Sequence, residues 1–210
     1  MTKNERHNSE SFPEMAKWKN EVALVTGASS GIGWAVALAL GRAGMRVAVT
    51  GRRKERLDEL VDLLNESEAE GLAVPADFSR EEDIAKVFEQ IRSKWGGIRV
   101  LINNAGLGYQ EELTRTSSKS LREMVEVNVL ALTLCMQEAV KDMETAGLGQ
   151  IINISSMAGH RVPGAPWWPS RYVFSDKTCS ESSNRSDVGG TGSERESDQN
   201  RCDIPWDGRD

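Results

Sequence analysis

Short apolar segments alternate with helical ones from Glu21 to about Ser156. Five apolar runs have the length of strands: VALVTG, RVAVTG, GLAVPAD, RVLINNAG and QIINIS. Between them, ERLDELVDLL and DIAKVFEQI carry apolar residues at i, i+3, i+4 and i+7, the spacing of one helix face. Strands that alternate with helices predict a parallel sheet covered on both faces. The pattern therefore predicts an α/β fold, a doubly wound parallel sheet of five strands joined by four crossover helices.

Two local patterns add detail to the predicted helices. Ser79 is followed by Glu82 just before DIAKVFEQI, which predicts a capping box at the start of that helix. The stretch MVEVNVLALTLCM is apolar nearly all round, which predicts a buried helix.

The chain changes character after about Arg161. VPGAPWWPS is rich in proline, and the sequence beyond Thr178 is dominated by Ser, Asp, Glu, Arg, Asn and Gly. Such a segment buries too little apolar surface to offset the entropy of ordering it. We expect a folded unit over residues 18–162, a disordered polar leader over 1–17 and a disordered tail over 163–210. The C-terminal part of the fold is then missing or disordered.

Composition excludes several classes of function. The formal net charge is −6, so neither nucleic acid nor an anionic membrane surface is an expected partner. No apolar run is long enough to span a bilayer, and the first residues lack the apolar core of a signal peptide. The three cysteines form an odd set without metal-like spacing. We expect a cytoplasmic protein without a metal site, with Cys135 in the core.

A glycine-rich turn joins the first strand to the first helix. In VALVTGASSGIG, a glycine at position 27 can adopt a turn conformation that other residues resist. The glycines that follow let the backbone approach a pyrophosphate, whose charge the free N–H groups of the helix start favour. No lysine follows the last glycine, so a P-loop is disfavoured. The predicted contacts are Gly27, Ser29, Ser30, Gly31, Ile32 and Gly33.

Four motifs in order carry a family resemblance. The spacing Gly27-x-x-x-Gly31-x-Gly33, NNAG at 103–106, NVLAL from Asn128 and INISSMAG from Ile152 resemble the short-chain dehydrogenases/reductases. This resemblance implies a Rossmann-like fold, a nicotinamide cofactor, a small-molecule carbonyl or alcohol substrate and a homo-oligomer. It also implies that Asp77 and Phe78 lie beside the adenine and that Asn104, Ala105 and Gly106 line the adenosine side.

The end of the second strand predicts which nicotinamide cofactor is bound. NAD-dependent proteins usually place an acid there to accept from the ribose 2′-hydroxyl, whereas this chain has Gly51 followed by Arg52 and Arg53. A guanidinium can hold a 2′-phosphate through two parallel bonds. NADP(H) is therefore favoured over NAD(H), and Arg52 is the expected ligand of the 2′-phosphate. The alternative for Arg53 is that it only begins a solvent-exposed helix and binds no phosphate.

The resemblance also implies a catalytic set, of which one pair is out of register. Asn128 and Ser156 match the family's proton-relay Asn and carbonyl-holding Ser. The family's Tyr-x-x-x-Lys pair is represented only by Tyr172 and Lys177, five positions apart. On a helix, five positions leave side chains about 140° apart, against about 40° for four. Tyr172 and Lys177 therefore do not form the working pair.

A shifted reading frame permits the missing pair. Reading the codons permitted by YVFSDKTCSESSNRSDV one nucleotide later allows Y-S-A-T-K-H-A-V-R-A-V-T-E, and DIPWDGR allows T-S-P-G-M-V in the same frame. These match the family's catalytic helix and its later Pro-Gly signature. We infer a frame change between about Arg161 and Tyr172, which would also damage the oligomer interface.

The family resemblance implies two alternative functions. One is an NADP(H)-dependent oxidoreductase that interconverts a carbonyl, a small ketone or a ketosteroid-like one, and an alcohol by hydride transfer. The other is a truncated, catalytically inactive nucleotide-binding form without the Tyr-x-x-x-Lys helix, which we expect for the chain as written.

Overall fold

A computed structural model describes residues 13–109 and 114–156, and the sheet lies within them. All strand pairs are parallel, and the strand order is β3-β2-β1-β4-β5. This arrangement confirms the predicted α/β, Rossmann-like fold class. The strands are β1 (Val22–Thr26), β2 (Arg46–Gly51), β3 (Gly71–Pro75), β4 (Val100–Asn103) and β5 (Gln150–Asn153).

Helices connect successive strands, as the periodicity predicts. A 3-10 helix (Pro13–Trp18) precedes the sheet, and the last crossover is continuous from α4 through a π-helical segment into α5. The bounds are α1 (Gly31–Arg42), α2 (Lys54–Glu66), α3 (Glu81–Trp95), α4 (Ser118–Val125), the π-helical segment (Glu126–Leu130) and α5 (Ala131–Ala146).

Apolar clusters cover both faces of the sheet. Side chains of α3 and α5, among them Phe88 and Met143, pack with Leu24 on one face. Side chains of α1 and α2, among them Leu57, pack with Val49 on the other face. This two-sided burial explains why the strands consist of nearly continuous apolar runs.

Cys135 belongs to the cluster on the α3 and α5 face and is fully buried. Burial raises the pKa of its thiol to about 12, because a thiolate would lose its hydration there. The expectation that this cysteine is a core residue is confirmed.

The predicted capping box at α3 is wrong. The helix begins at Glu81, and the N-cap residue Arg80 makes no side-chain cap hydrogen bond. Ser79 instead donates from both its N–H and its hydroxyl to Asp77 Oδ1, at 3.1 and 2.9 Å. A carboxylate is a stronger acceptor than a hydroxyl, so Asp77 organises this turn in place of Ser79.

The expectation of a helix buried all round over MVEVNVLALTLCM is also wrong. Val125 is 58% exposed and Leu130 is 48% exposed, whereas Met124 and Cys135 are buried. One side of the helix packs on the sheet, and among the described residues nothing covers the opposite apolar side.

Part of the expected leader forms a 3-10 helix. The 3-10 helix includes residues 13–17 of the expected leader, and Trp18 packs into the α1 and α2 face with 5% exposure. Residues 1–12, 110–113 and 157–210 lie outside the described residues, and so does the expected disordered tail. Within the described part, no helix has both the length and the apolarity needed to cross a bilayer.

Candidate nucleotide-binding site

A cavity of about 460 Å³ opens at the carboxyl ends of the strands. Ligands of open α/β sheets bind at this edge, where the strand order reverses direction. Most of the residues predicted to bind a cofactor come together here. The cavity is lined by Gly27, Ser29, Ser30, Gly51, Arg52, Arg53, Ala76, Asp77, Phe78, Asn104, Ala105, Gly106, Leu107, Glu123 and Val127.

The three glycines of the turn are required for different reasons. Gly27 has a φ of +64°, and a Cβ on it would lie 2.7 Å from Ala105 Cα. A Cβ on Gly33 would lie 2.5 Å from Asn104 Nδ2 and 2.8 Å from the Gly27 carbonyl oxygen. Gly31, with a φ of +62°, has no protein atom within 4 Å of such a Cβ. Gly27 and Gly33 therefore allow the turn to pack closely against neighbouring protein atoms, whereas Gly31 leaves open space beside the turn.

The start of α1 is suited to an anion. Ser30 occupies the N-cap without a side-chain cap hydrogen bond, and the first turn contains no acidic residue. The free N–H groups and the helix dipole at such a terminus favour a phosphate. Ile32, in the same turn, is 61% exposed.

Arg53 is held against the glycine turn by hydrogen bonds. Its Nη2 donates to Ser29 Oγ at 2.9 Å and to Ser30 Oγ at 2.7 Å, and its Nε lies 3.2 Å from Ser29 Oγ. Arg52 also lines the cavity. The sequence favours Arg52 as the phosphate ligand, but the described contacts fix the guanidinium of Arg53 beside the turn. Because residue 51 is a glycine, the end of β2 carries no carboxylate.

The loop after β4 is tied to the glycine turn through Asn104. Its Nδ2 donates to the carbonyl oxygens of Thr26 and Gly27, at 3.0 and 3.1 Å. The Thr26 hydroxyl in turn accepts from the N–H groups of Asn104 and Ala105. These bonds couple two cavity walls that lie far apart in sequence.

Asn128 holds the next part of that loop. Its Oδ1 accepts from the Leu107 N–H, and its Nδ2 donates to the Leu107 carbonyl oxygen, both at 2.8 Å. Asn128 is 3% exposed and lies in the π-helical segment, a distortion that often marks a functional site. Its side chain therefore positions Leu107 at the cavity wall.

Ser156 is the last described residue and follows the end of β5. The buried amides of Asn103 and Asn153 pair at 2.9 Å, and the Ile154 N–H donates to the Asn103 carbonyl oxygen. These bonds fix the strand end from which Ser156 extends. Ser156 itself is exposed and does not line the cavity. Tyr172 and Lys177 lie outside the described residues.

Besides Gly51, which the sequence analysis names without a binding role, four cavity residues are absent from the sequence prediction: Ala76, Leu107, Glu123 and Val127. Ala76 and Leu107 directly adjoin predicted residues, so their positions in the sequence could have indicated them. Val127 and Glu123 precede Asn128 by one and five positions, and the sequence offered no signal for them beyond this proximity. In the described part of the chain, no three His, Cys, Asp or Glu side chains form a group that could hold a metal.

A family model described as short chain dehydrogenase matches residues 21–169. The chain belongs to the short-chain dehydrogenase family. The match covers the whole sheet and every residue of the cavity. It confirms the resemblance seen in the four sequence motifs.

Individual relatives agree with this assignment. Farnesol dehydrogenase of Aedes aegypti is 45% identical over 151 residues, covering 70% of this chain and 62% of the relative. Dehydrogenase/reductase SDR family member 11 of Homo sapiens is 43% identical over 154 residues, covering 71% and 59%. The chain thus spans about 60% of the length of these curated relatives.

Among solved structures, a metagenomic short-chain oxidoreductase in complex with NADP superimposes with a TM-score of 0.70 at 32% identity. The superposition covers 77% of this chain and 72% of that one. The shared fold therefore covers about three quarters of this chain.

Proposed function

We propose that this cavity binds NADP(H) and that the family activity of the protein is hydride transfer between this cofactor and a carbonyl or alcohol. The observation that carries the proposal is the guanidinium of Arg53, fixed on Ser29 and Ser30 beside a strand end that carries Gly51 instead of an acid. A carboxylate at that end would repel a 2′-phosphate, whereas a guanidinium attracts it.

The residues present fit a dinucleotide. The uncapped start of α1 offers N–H groups to the pyrophosphate, and Gly31 leaves space beside the turn. Arg52 and Arg53 supply two cations for a further phosphate. The NADP complex of the metagenomic relative supports the same choice of cofactor.

The reaction requires more than the cavity alone. When bound, the nicotinamide supplies or accepts the hydride. In our proposal Ser156 holds the carbonyl oxygen, and Asn128 keeps the loop at Leu107 in place. The substrate is a small ketone or a ketosteroid-like carbonyl. Cytoplasmic location and homo-oligomer formation are further parts of this proposal.

Titration of the purified chain with NADPH and NADH tests the cofactor assignment. We expect NADPH to bind at least about 10-fold more tightly, because a hydrogen bond to a charged group contributes about 1.5–3 kcal/mol. Equal affinity for the two cofactors would contradict it. Following NADPH absorbance with a reactive diketone then measures turnover separately from binding.

A second candidate is a nucleotide-binding form that does not turn over. The observation that favours it is the five-residue spacing of Tyr172 and Lys177, which cannot place both side chains on one helix face. Loss of a general acid lowers rates by about 10²–10⁴-fold. For this chain we therefore expect NADPH binding without measurable diketone reduction, and clear turnover would contradict that expectation.

The proposed frame change has its own test. Sequencing the transcript across the codons of Arg161 to Tyr172 should reveal a junction or a one-nucleotide difference. A protein continued in the alternative frame should regain diketone reduction, because that frame permits Tyr and Lys four positions apart. A continuous single frame in the transcripts of this protein and its relatives would rule the hypothesis out.

A further inference from the structure

Two side chains attach the loop after β4 to the helical stretch that follows it. Asn128 binds both backbone polar groups of Leu107 through hydrogen bonds of 2.8 Å. Two positions further along the loop, the hydroxyl of Tyr109 donates to Glu123 Oε2 at 2.6 Å. Glu123 lies in α4, and Asn128 lies in the π-helical segment that continues it. Residues 106–109, which we call the wall loop, are therefore held at two points.

The two attachments differ in how readily they open. Asn128 is 3% exposed, so releasing Leu107 from it would leave a buried amide without its partners, which is costly. Tyr109 and Glu123 are both half-buried, so water can replace the hydrogen bond that joins them. We therefore expect the attachment at Glu123 to open much more often than the attachment at Asn128.

A glycine between the two attachments lets one open without the other. Gly108 is exposed, and among the described residues a Cβ on it would have no neighbour within 4 Å. Glycine has more backbone freedom than any other residue, and the space around this one is open. Tyr109 can therefore move away from Glu123 while Leu107 stays on Asn128.

The attachment that opens more readily borders the cavity. Gly106, Leu107 and Glu123 all line it, so a ligand that fills the cavity meets both the wall loop and its anchor. Movement of the wall loop away from Glu123 changes this side of the cavity. The other cavity acid, Asp77, has a different role, since its Oδ1 accepts from Ser79 within its own turn and ties no distant segment to it.

We propose that the hydrogen bond between Tyr109 and Glu123 is a latch on the wall loop, and that it sets how fast a nucleotide enters and leaves the cavity. With the latch closed, the wall loop confines the ligand. With the latch open, Tyr109 moves outward about Gly108 and the ligand exchanges, as in proteins whose ligand release is limited by the motion of a loop. Tyr109 is a positioning residue, because it acts through the wall loop. This inference rests on the proposed function, namely that the cavity binds NADP(H).

Stopped-flow measurement of nicotinamide fluorescence tests the latch on the full chain, once each variant has shown a cooperative thermal transition. The dependence of the observed rate on NADPH concentration gives the entry rate constant and the release rate constant separately. In Tyr109→Phe we expect both constants to rise by about 10-fold, because a latch hinders passage in both directions. The dissociation constant, which is their ratio, should stay within about threefold of the wild-type value.

Two substitutions of the anchor separate the hydrogen bond from the charge. Glu123→Met cannot accept from the phenol and should exchange NADPH as fast as Tyr109→Phe. The amide oxygen of Glu123→Gln still accepts from the phenol, so this variant should exchange NADPH more slowly than Glu123→Met. Glu126→Gln is the matched control, because Glu126 is exposed and does not line the cavity, and its rates should equal those of the wild-type protein.

Unchanged rates in Tyr109→Phe would overturn the latch, and so would equal rates in Glu123→Met and Glu123→Gln. A faster release with an unchanged entry rate would also overturn it, since that result describes a lost contact with the ligand. In each of these cases NADPH binding leaves the proposed function intact. If Tyr109→Phe does not fold, the comparison of the two Glu123 variants decides instead. A folded wild-type protein that does not bind NADPH would overturn the proposed function and this inference with it.

Discussion

The side-chain amide of Asn128 pairs with both backbone polar groups of Leu107. Two hydrogen bonds of 2.8 Å join them across 21 positions of sequence, and Asn128 is buried. The loop that forms one wall of the cavity is thus held from the π-helical segment. The hydrogen-bond donor and acceptor of the Asn128 side chain should therefore affect both the stability of the protein and the shape of this cavity wall.

Two substitutions of Asn128 distinguish the contributions of its two hydrogen bonds to Leu107. Asn128→Ala leaves the Leu107 N–H and carbonyl oxygen unpaired, so we expect a loss of about 1–3 kcal/mol in the free energy of unfolding. Asn128→Asp keeps the acceptor but loses the donor at neutral pH and regains it when the carboxyl is protonated. Urea unfolding at several pH values should show acid recovery for Asn128→Asp and none for Asn128→Ala. Thr133→Ala, on the exposed side of α5, is the control.

Reversing the charge of Arg53 should change cofactor preference. Arg53→Glu removes the guanidinium from Ser29 and Ser30 and introduces a carboxylate at the position where it repels a 2′-phosphate. We expect NADPH binding to weaken by about 10–100-fold and NADH binding to change little. Arg52→Glu should act in the same direction, because Arg52 lines the same cavity.

Arg56→Glu is the matched control for that reversal. Arg56 lies in α2, of which Arg53 is the N-cap residue, but it stacks on Trp34 outside the cavity, with its guanidinium 4.6 Å from the ring centre. The same charge change there should leave the preference for NADPH in place. An equal loss of NADPH and NADH binding in Arg53→Glu would remove the support for a 2′-phosphate site.

Alanine at two glycines of the turn should give different results. In Gly33→Ala the new Cβ would meet Asn104 Nδ2 and the Gly27 carbonyl oxygen, so the turn and the β4 loop must shift. We expect a loss of about 1–3 kcal/mol in stability and much weaker NADPH binding. Gly31→Ala meets no protein atom and is strained only by its positive φ, which costs about 1–2 kcal/mol.

Acid should remove the contribution of Glu138. Its bond to Lys141, and then its bond to Arg92, hold the pKa of this carboxyl below its ordinary value. A depressed carboxyl pKa stabilises the folded state above the unfolded-state pKa, and this stabilisation is lost as the pH falls through the folded-state value. Glu138→Gln should cost up to about 1 kcal/mol at pH 7, since the ion pair is partly exposed.

The pH series provides the check on Glu138. The stability difference between Glu138→Gln and the wild-type protein should shrink toward zero as the pH falls below the ordinary glutamate pKa of about 4.3. Glu89→Gln, on the exposed side of α3, is the matched control. A difference for Glu138→Gln that stays constant down to pH 2 would show that the charge of Glu138 does not matter.

The buried thiol gives a further prediction. With its pKa raised to about 12 and no exposed surface, Cys135 should not react with a thiol reagent in the native protein at pH 8. Unfolding in urea should make it reactive. Comparison of the wild-type protein with a Cys135→Ala variant assigns the signal to this cysteine among the three cysteines. Rapid labelling of Cys135 under native conditions would show that the α3 and α5 face opens.

Local patterns alone determine the fold class, the strands and the glycine turn of this protein. Apolar runs of strand length and period-3.6 spacing on helices reflect backbone geometry, and a glycine at position 27 reflects a φ that other residues resist, so both can be recognised within a few residues. The NNAG loop is identified through its resemblance to a family motif, and its Asn104 bonds to Thr26 and Gly27.

Contacts between distant segments are decided only by the tertiary structure. The hydrogen bond between Arg53 and Ser29 depends on how α2 leaves the sheet, and the pairing of Tyr109 with Glu123 depends on how α4 packs. The tertiary structure also decides that Asp77 accepts the hydrogen bond from the Ser79 hydroxyl before α3, and that Val125 is exposed. Sequence spacing specifies which side chains share a face, but the packing of whole elements specifies what those side chains meet.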